Sequence, residues 1–217
     1  ITSLPYGHII ANRNVWSSDG ESILYDLRED ETAFTSDRIE RVHVQSGDIE
    51  VLYRSMNGAC CGVPTCSPVD DRYVFIHGPE NPTAQWSYCA WHRRGVVGRL
   101  SQPGRVSNLD ACDIVSPFTP GALRGGTHLH MFSPDGSMIA STYEDHVLAT
   151  SHDPQADSNR RVVAISLLSH PVQVPKTDSR NQDGEAFSII ATRVCESPHP
   201  GSDEILRAHS EAWIDEK

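Results

Sequence analysis

The sequence predicts an all-β fold assembled from repeated four-stranded antiparallel sheets, and three observations predict it. Short apolar stretches alternate with turn residues along the 217-residue chain. Fifteen glycines and 14 prolines interrupt it too often for a helical bundle. One turn motif also returns three times. It reads Asn14-Val15-Trp16-Ser17-Ser18-Asp19-Gly20 before Ile23-Leu24-Tyr25, and Val63-Pro64-Thr65-Cys66-Ser67-Pro68 before Asp70-Asp71 and Tyr73-Val74-Phe75-Ile76. The third copy is His130-Met131-Phe132-Ser133-Pro134-Asp135-Gly136 before Met138-Ile139-Ala140. Proline early in the turn, aspartate bonding its own backbone and glycine at positive φ together make a tight reversal between strands.

Each copy is followed by further strands. After the first turn, Arg38-Ile39-Glu40-Arg41-Val42-His43-Val44 alternates polar and apolar residues, Gln45-Ser46-Gly47-Asp48 reverses the chain, and Ile49-Glu50-Val51-Leu52-Tyr53 returns. Counting the strands either side of Ser17–Gly20 makes a first unit over about 8–54. A second unit is expected over 59–99, with Trp86-Ser87-Tyr88-Cys89-Ala90-Trp91 as its third strand. A third is expected over 127–168, with Val162-Val163-Ala164-Ile165 near its outer edge. Residues 101–124, carrying Pro103, Pro117 and Pro120, read as a connection with short extended pieces, and 169–184 as a polar loop. Ala186-Phe187-Ser188-Ile189-Ile190-Ala191 opens a further unit over 186–217, whose Asp203–His209 stretch reads as a short helix. Such units are blades of a β-propeller, and a propeller closes with about four to eight. Three blades and part of a fourth are therefore expected to belong to a longer ring, and a start at Ile1 rather than Met agrees with that.

Composition excludes some functions. Lys and Arg number 18 against 29 Asp and Glu, a formal charge of −11, which speaks against nucleic acid or an anionic membrane as partner. No apolar run is long enough for a membrane span. The six cysteines lack the paired spacing of a zinc finger, and adjacent Cys60 and Cys61 do not readily bridge each other. They read as free thiols, which favours a cytoplasmic over a periplasmic location.

Several strings along the chain stand out: Asn14-Val15-Trp16, Ile39-Glu40-Arg41-Val42, Tyr73-Val74-Phe75-Ile76-His77-Gly78-Pro79-Glu80-Asn81-Pro82 and His92-Arg93-Arg94-Gly95. Further along come Ser107-Asn108-Leu109-Asp110-Ala111, Arg124-Gly125-Gly126-Thr127-His128-Leu129-His130 and Pro200-Gly201-Ser202-Asp203-Glu204-Ile205. In these strings the chain resembles the uncharacterised bacterial YidR-like family of TolB-like β-propeller proteins. The resemblance implies the fold and supplies no reaction.

Blade topology gathers the residues before each inner strand and after each second strand on one rim. These are His8, Asn12 and Arg28 in the first unit, and His77 and Glu80 in the second. In the third they are Arg124, His128, His130, Glu144, Asp145 and His146. His128 and His130, two apart, are expected on one strand face, with His146 from the adjoining loop, as a facial set for a divalent transition metal such as Mn, Zn, Fe or Ni. The oligogalacturonate lyases, propellers of the TolB-like kind, are similar in their His-rich metal site for acidic sugars. On this reading the protein is a metal-dependent lyase or hydrolase acting on a small acidic ligand. His92, Arg93 and Arg124 are the catalytic candidates, an arginine from Arg93, Arg94 or Arg124 clamping the anion. The bland alternatives are imidazoles bonding backbone groups between blades and Arg93-Arg94 as a solvated strand end. The alternative function is a non-catalytic propeller binding a protein or peptide on its rim.

Overall fold

The computed structural model describes residues 1–28, 30 and 33–214. Its architecture is all-β, with three antiparallel sheets and one single-turn helix. The first sheet holds β1 (Ser22–Asp26), β2 (Arg38–His43) and β3 (Ile49–Arg54) in that order. Bridges Ile9↔Asp26 and Trp16↔Ile23 lay the preceding segment beside β1 as a broken inner strand. The second sheet runs β4 (Cys61–Cys66), β5 (Arg72–His77), β6 (Arg94–Arg99), β7 (Val106–Asn108). The third runs β8 (Gly125–Phe132), β9 (Met138–Asp145), β10 (Val162–Val172), β11 (Gly184–Ile190), and α1 (His146–Ala149) follows β9 directly.

The repeated turn is the same construction each time. The amide of Ser17 reaches the carbonyl of Ser22 at 2.9 Å, that of Ser67 the carbonyl of Arg72 at 2.9 Å, and that of Ser133 the carbonyl of Met138 at 2.8 Å. Ser17 and Ser133 hydroxyls donate to Asp19 and Asp135, two residues on. Gly20 and Gly136 supply the left-handed backbone, at φ 74° and 69°. The inner strands share a second device. Register slips between Gly62 and Thr65 in β4 and between His128 and Met131 in β8, with Val63 and Leu129 both at φ 56°. Such a bulge re-aims every side chain beyond it.

The sheets stack face to face. Leu24, Ile39 and Leu52 of the first pack on Cys61, Tyr73, Phe75 and Val96 of the second. On its other face the second sheet offers Val74 and Val97 to Phe132, Ile139, Leu168 and Ala186 of the third. Tyr73, Val74 and Phe75 thus feed the two interfaces alternately, as a strand buried on both faces must.

Three strand assignments differ from the sequence expectation. The third strand of the second sheet is β6, and Trp86–Trp91 stays in the loop before it. Gly95 and Gly98 give β6 a weak strand signature, yet both are needed: a Cβ would lie 2.7 Å from His130 Nε2 at Gly95 and 2.6 Å from the Tyr73 ring at Gly98. Val106–Asn108, inside the expected connection, completes that sheet as β7, and residues 186–190 complete the third sheet instead of opening another. Ile189 opposite Ile165 fixes that register, so the polar 173–183 stretch is a loop between two strands of one sheet. Asp203–His209 forms no helix. Ala208 donates to the carbonyl of Arg161 and Ile205 accepts from the amide of Cys195, which ties the segment down in extended and turn conformations.

Candidate anion-binding cleft

A cleft of ≈ 270 Å³ opens where the loop before β6, the Ser179–Gln182 loop and the start of β8 meet. Pro79, Glu80, Asn81, Trp86, Trp91, His92, Arg93, Arg94, Cys112, Gly125, Ser179, Arg180 and Gln182 line it. The Ser179–Gln182 loop is held over the cleft by Cys112 and Gln182, whose amides and carbonyls exchange bonds at 2.8 and 2.9 Å. The 79–93 loop is pinned by its own turns. Thr83 and Trp86 exchange backbone bonds, and Gly126 lets the Ala90 and Arg93 carbonyls approach β8 to within 2.8 Å of where a Cβ would sit.

Charge is the distinguishing property. Three guanidinium groups against one carboxylate line this cleft, in a chain with a net charge of −11. Arg94 bonds the neutral Gln182 amide oxygen at 3.1 Å and reaches Glu80 only at 3.4 Å. Arg93 bonds the Tyr88 side chain and is drawn to Glu144 without forming an ion pair among the described residues. The Nε atoms of both arginines are buried with no hydrogen-bond partner. Burial pushes both guanidinium groups below their ordinary range, which measures how poorly nearby carboxylates offset the lost water. Arg180 stands over the Trp86 ring at 5.0 Å, and that ring stacks on His92 with centroids 3.8 Å apart.

His92 bonds on both sides. Nδ1 lies 2.9 Å from the Ser87 carbonyl oxygen and Nε2 lies 3.1 Å from His146 Nδ1. The ring therefore shows the cleft a face, with both nitrogens engaged. His146, first residue of α1, also meets Trp86 edge-on at 4.7 Å.

The other sequence candidates are placed elsewhere. Arg124 lies against Asp145 at 2.5 Å and over Phe118 at 4.8 Å, away from the cleft, its charge already answered. The bulge separates His128 from His130. His130 turns into the second sheet, its Nε2 3.0 Å from Thr127 Oγ1, which donates to Asp110. Thr127 and His128 are strand neighbours and point opposite ways, so His128 leaves on the other face. The expectation of one shared face fails because Leu129, at positive φ, breaks the period of two. Burial holds His128 and His130 at about 3. His77 is enclosed, with Nε2 2.9 Å from the Tyr53 hydroxyl and Nδ1 on the Gly78 carbonyl. Arg28 is locked on Asp26 by two bonds of 2.7 and 2.8 Å.

The expected metal set does not fit this arrangement. His146 joins His92, His130 joins Thr127, and the His128 Nδ1 atom is buried without a partner. Among the described residues, no three His, Cys, Asp or Glu side chains stand close enough to share a metal ion. Arg93 and Arg94, read blandly as a solvated strand end, are partly buried cleft walls instead. Sequence reading missed Trp86, Trp91, Arg180 and Gln182 as site residues. The signal for the indoles was present: they crowd next to His92-Arg93-Arg94 in a stretch that follows Pro79 and Pro82.

Comparison with known proteins identifies the class. Residues 60–182, more than half of the chain, match the family described as "Protein of unknown function (DUF3748)", and the chain belongs to that family. The match spans the second sheet, most of the third and every residue lining the cleft. Over 214 residues the chain is 42% identical to the "Uncharacterized protein YidR" of Escherichia coli (strain K12). The alignment covers 99% of this chain and 50% of that protein, so the chain spans about half the length of the curated relative it matches. No helix among the described residues is long and apolar enough to cross a membrane.

Proposed function

We propose that the three sheets are blades of a TolB-like β-propeller and that the cleft binds a small anionic molecule of the sugar-acid kind. Support for the propeller comes from repetition: three turns closed by the same bond, two inner strands with the same bulge, and sheets stacked face to face. At the turn end, a hollow of ≈ 630 Å³ is lined by Trp16, Cys66 and Phe132, which come from corresponding places in the three units, and by Trp213 of the tail. That gathering is what inner strands around a common axis would produce. Further blades would complete the ring.

The observation that carries the ligand reading is the charge of the cleft lining, where Arg93, Arg94 and Arg180 face Glu80 alone. Burial strips water from Arg93 and Arg94 and nearby carboxylates offset little of that loss, so an incoming carboxylate would supply the missing charge. Indole walls and a volume of ≈ 270 Å³ suit a ring of sugar size. The metal-dependent chemistry expected from His128, His130 and His146 has no geometric support here, and this reading routes nothing through a metal. Calorimetric titration with D-glucuronate and with uncharged methyl glucoside tests it. Glucuronate alone is expected to bind, and equal binding of both sugars would refute the reading.

A further inference from the structure

Of the three arginines lining the cleft, Arg180 is set apart by how it is held. Its loop is pinned on both sides. The buried Asn181 side chain donates to Asp113 at 2.9 Å and to the Pro175 carbonyl at 2.8 Å, and accepts the Ile114 amide at 3.0 Å. Gln182 exchanges backbone bonds with Cys112, and its side chain accepts from Arg94. On the other side, the Asp178 carboxylate accepts the Arg180 amide at 2.8 Å and is engaged with the backbone. The Arg180 guanidinium lies over the Trp86 ring, 5.0 Å from its centroid, and among the described residues it forms no ion pair and no side-chain hydrogen bond. An indole face attracts a guanidinium without neutralising it, so the charge stays available.

The lining thus offers cations from two segments of the chain. Arg93 and Arg94 stand together where β6 begins, and Arg180 comes from the connection between β10 and β11. Three guanidinium groups against one carboxylate leave a formal excess of two positive charges, and a single carboxylate would answer one of them. We propose that the ligand is a sugar diacid, with one carboxylate on Arg93 and Arg94 and the second on Arg180, which makes Arg180 the specificity-determining residue of the cleft. This deepens the anion reading above and rests on it. A phosphate monoester would carry both charges on one group, whereas cations from two segments suit acids at both ends of the ligand. The pinned loop and the indole preorganise Arg180, so little side-chain freedom is lost on binding, and its fork takes a carboxylate through two parallel hydrogen bonds.

Calorimetric titrations of the full-length protein with D-glucarate and D-gluconate test this. Both are open-chain six-carbon sugar acids, and they differ at one end, a carboxylate in the first and a hydroxymethyl group in the second. Glucarate should bind roughly tenfold to a hundredfold tighter, the scale of one hydrogen bond between charged partners. Arg180→Gln should bring glucarate down to the affinity of gluconate. Arg180→Lys, which keeps the charge and loses the fork, should keep part of the difference. Equal binding of the two acids by the parent protein, or a difference that survives in Arg180→Gln, overturns the inference, and binding of D-glucuronate would then leave the anion reading intact. Binding of none of the three acids overturns both.

Discussion

His92 and His146 come from different sheets' connections, 54 residues apart, yet their imidazoles meet Nε2 to Nδ1 at 3.1 Å. The loop that could have been a strand delivers the first, and the single turn of helix after β9 delivers the second. The contact joins the second sheet to the third at the edge of the cleft, so binding and inter-sheet packing share residues there. Substitutions at this junction are expected to report on both, whereas substitutions within the sheets report on stability alone.

Asp26 illustrates the second kind. Its carboxylate is fully buried, holds Arg28 through two bonds, and accepts the amide of Val63 at 2.5 Å, which anchors the bulge of β4. Gly62 is required beside it, because a Cβ there would sit 2.5 Å from Asp26 Oδ2. Removing one partner of a buried ion pair leaves the other uncompensated. Asp26→Ala is expected to cost about 3–5 kcal/mol, read as a lowered denaturation midpoint in urea.

Gly98 tests packing in the same sheet. A methyl group there would meet the Tyr73 ring at 2.6 Å, and Tyr73 is fully buried. Gly98→Ala should destabilise by about 1–3 kcal/mol as an overpacked core does, with the same unfolding slope as the parent protein.

Acid should unfold the protein before its carboxylates are protonated. Burial places His77 at about 4 and His128 and His130 at about 3. The unfolded chain takes up these protons near pH 6.5 and the folded one does not. Stability conferred by the neutral imidazoles is therefore complete above about pH 6.5 and falls as pH drops toward 4. Melting temperature measured from pH 7.5 to 4.5 should decline steadily, and a flat profile over that range would contradict the burial of these rings. His130→Gln should flatten part of the slope.

Thiol chemistry should be nearly silent in the folded state. All six cysteines are free, and burial pushes Cys61, Cys66 and Cys112 up to about 12 and Cys60 to about 11. The thiolate is the reactive form. A disulfide reagent at pH 8 should modify at most Cys89 and Cys195 within minutes, and all six after denaturation.

Much of the fold was legible in the sequence because turn chemistry is local. Serine, aspartate and glycine at fixed offsets closed the turns at Ser17 and Ser133 as their spacing implied, and alternation located β2 and β3. β6 was hidden because its two glycines serve neighbours, Tyr73 and His130, that sequence does not place beside them. β7, three residues long, carries too short a pattern to count. The site was less legible for one backbone reason. Period-two alternation put His128 and His130 together, and a single left-handed residue, Leu129, sends them to opposite faces. His92 and Arg93 stand out in the sequence as part of the run His92-Arg93-Arg94, and the structure puts both in the cleft lining. Arg180 and Gln182 came from a polar loop with no signal of its own.

A crystal structure of the full-length protein with D-glucuronate bears most directly on the cleft. The carboxylate is expected within hydrogen-bond distance of the Arg93 and Arg94 guanidinium groups, with the sugar ring along Trp86. A sugar ordered against another part of the surface, with the cleft arginines making no contact to it, would contradict the account.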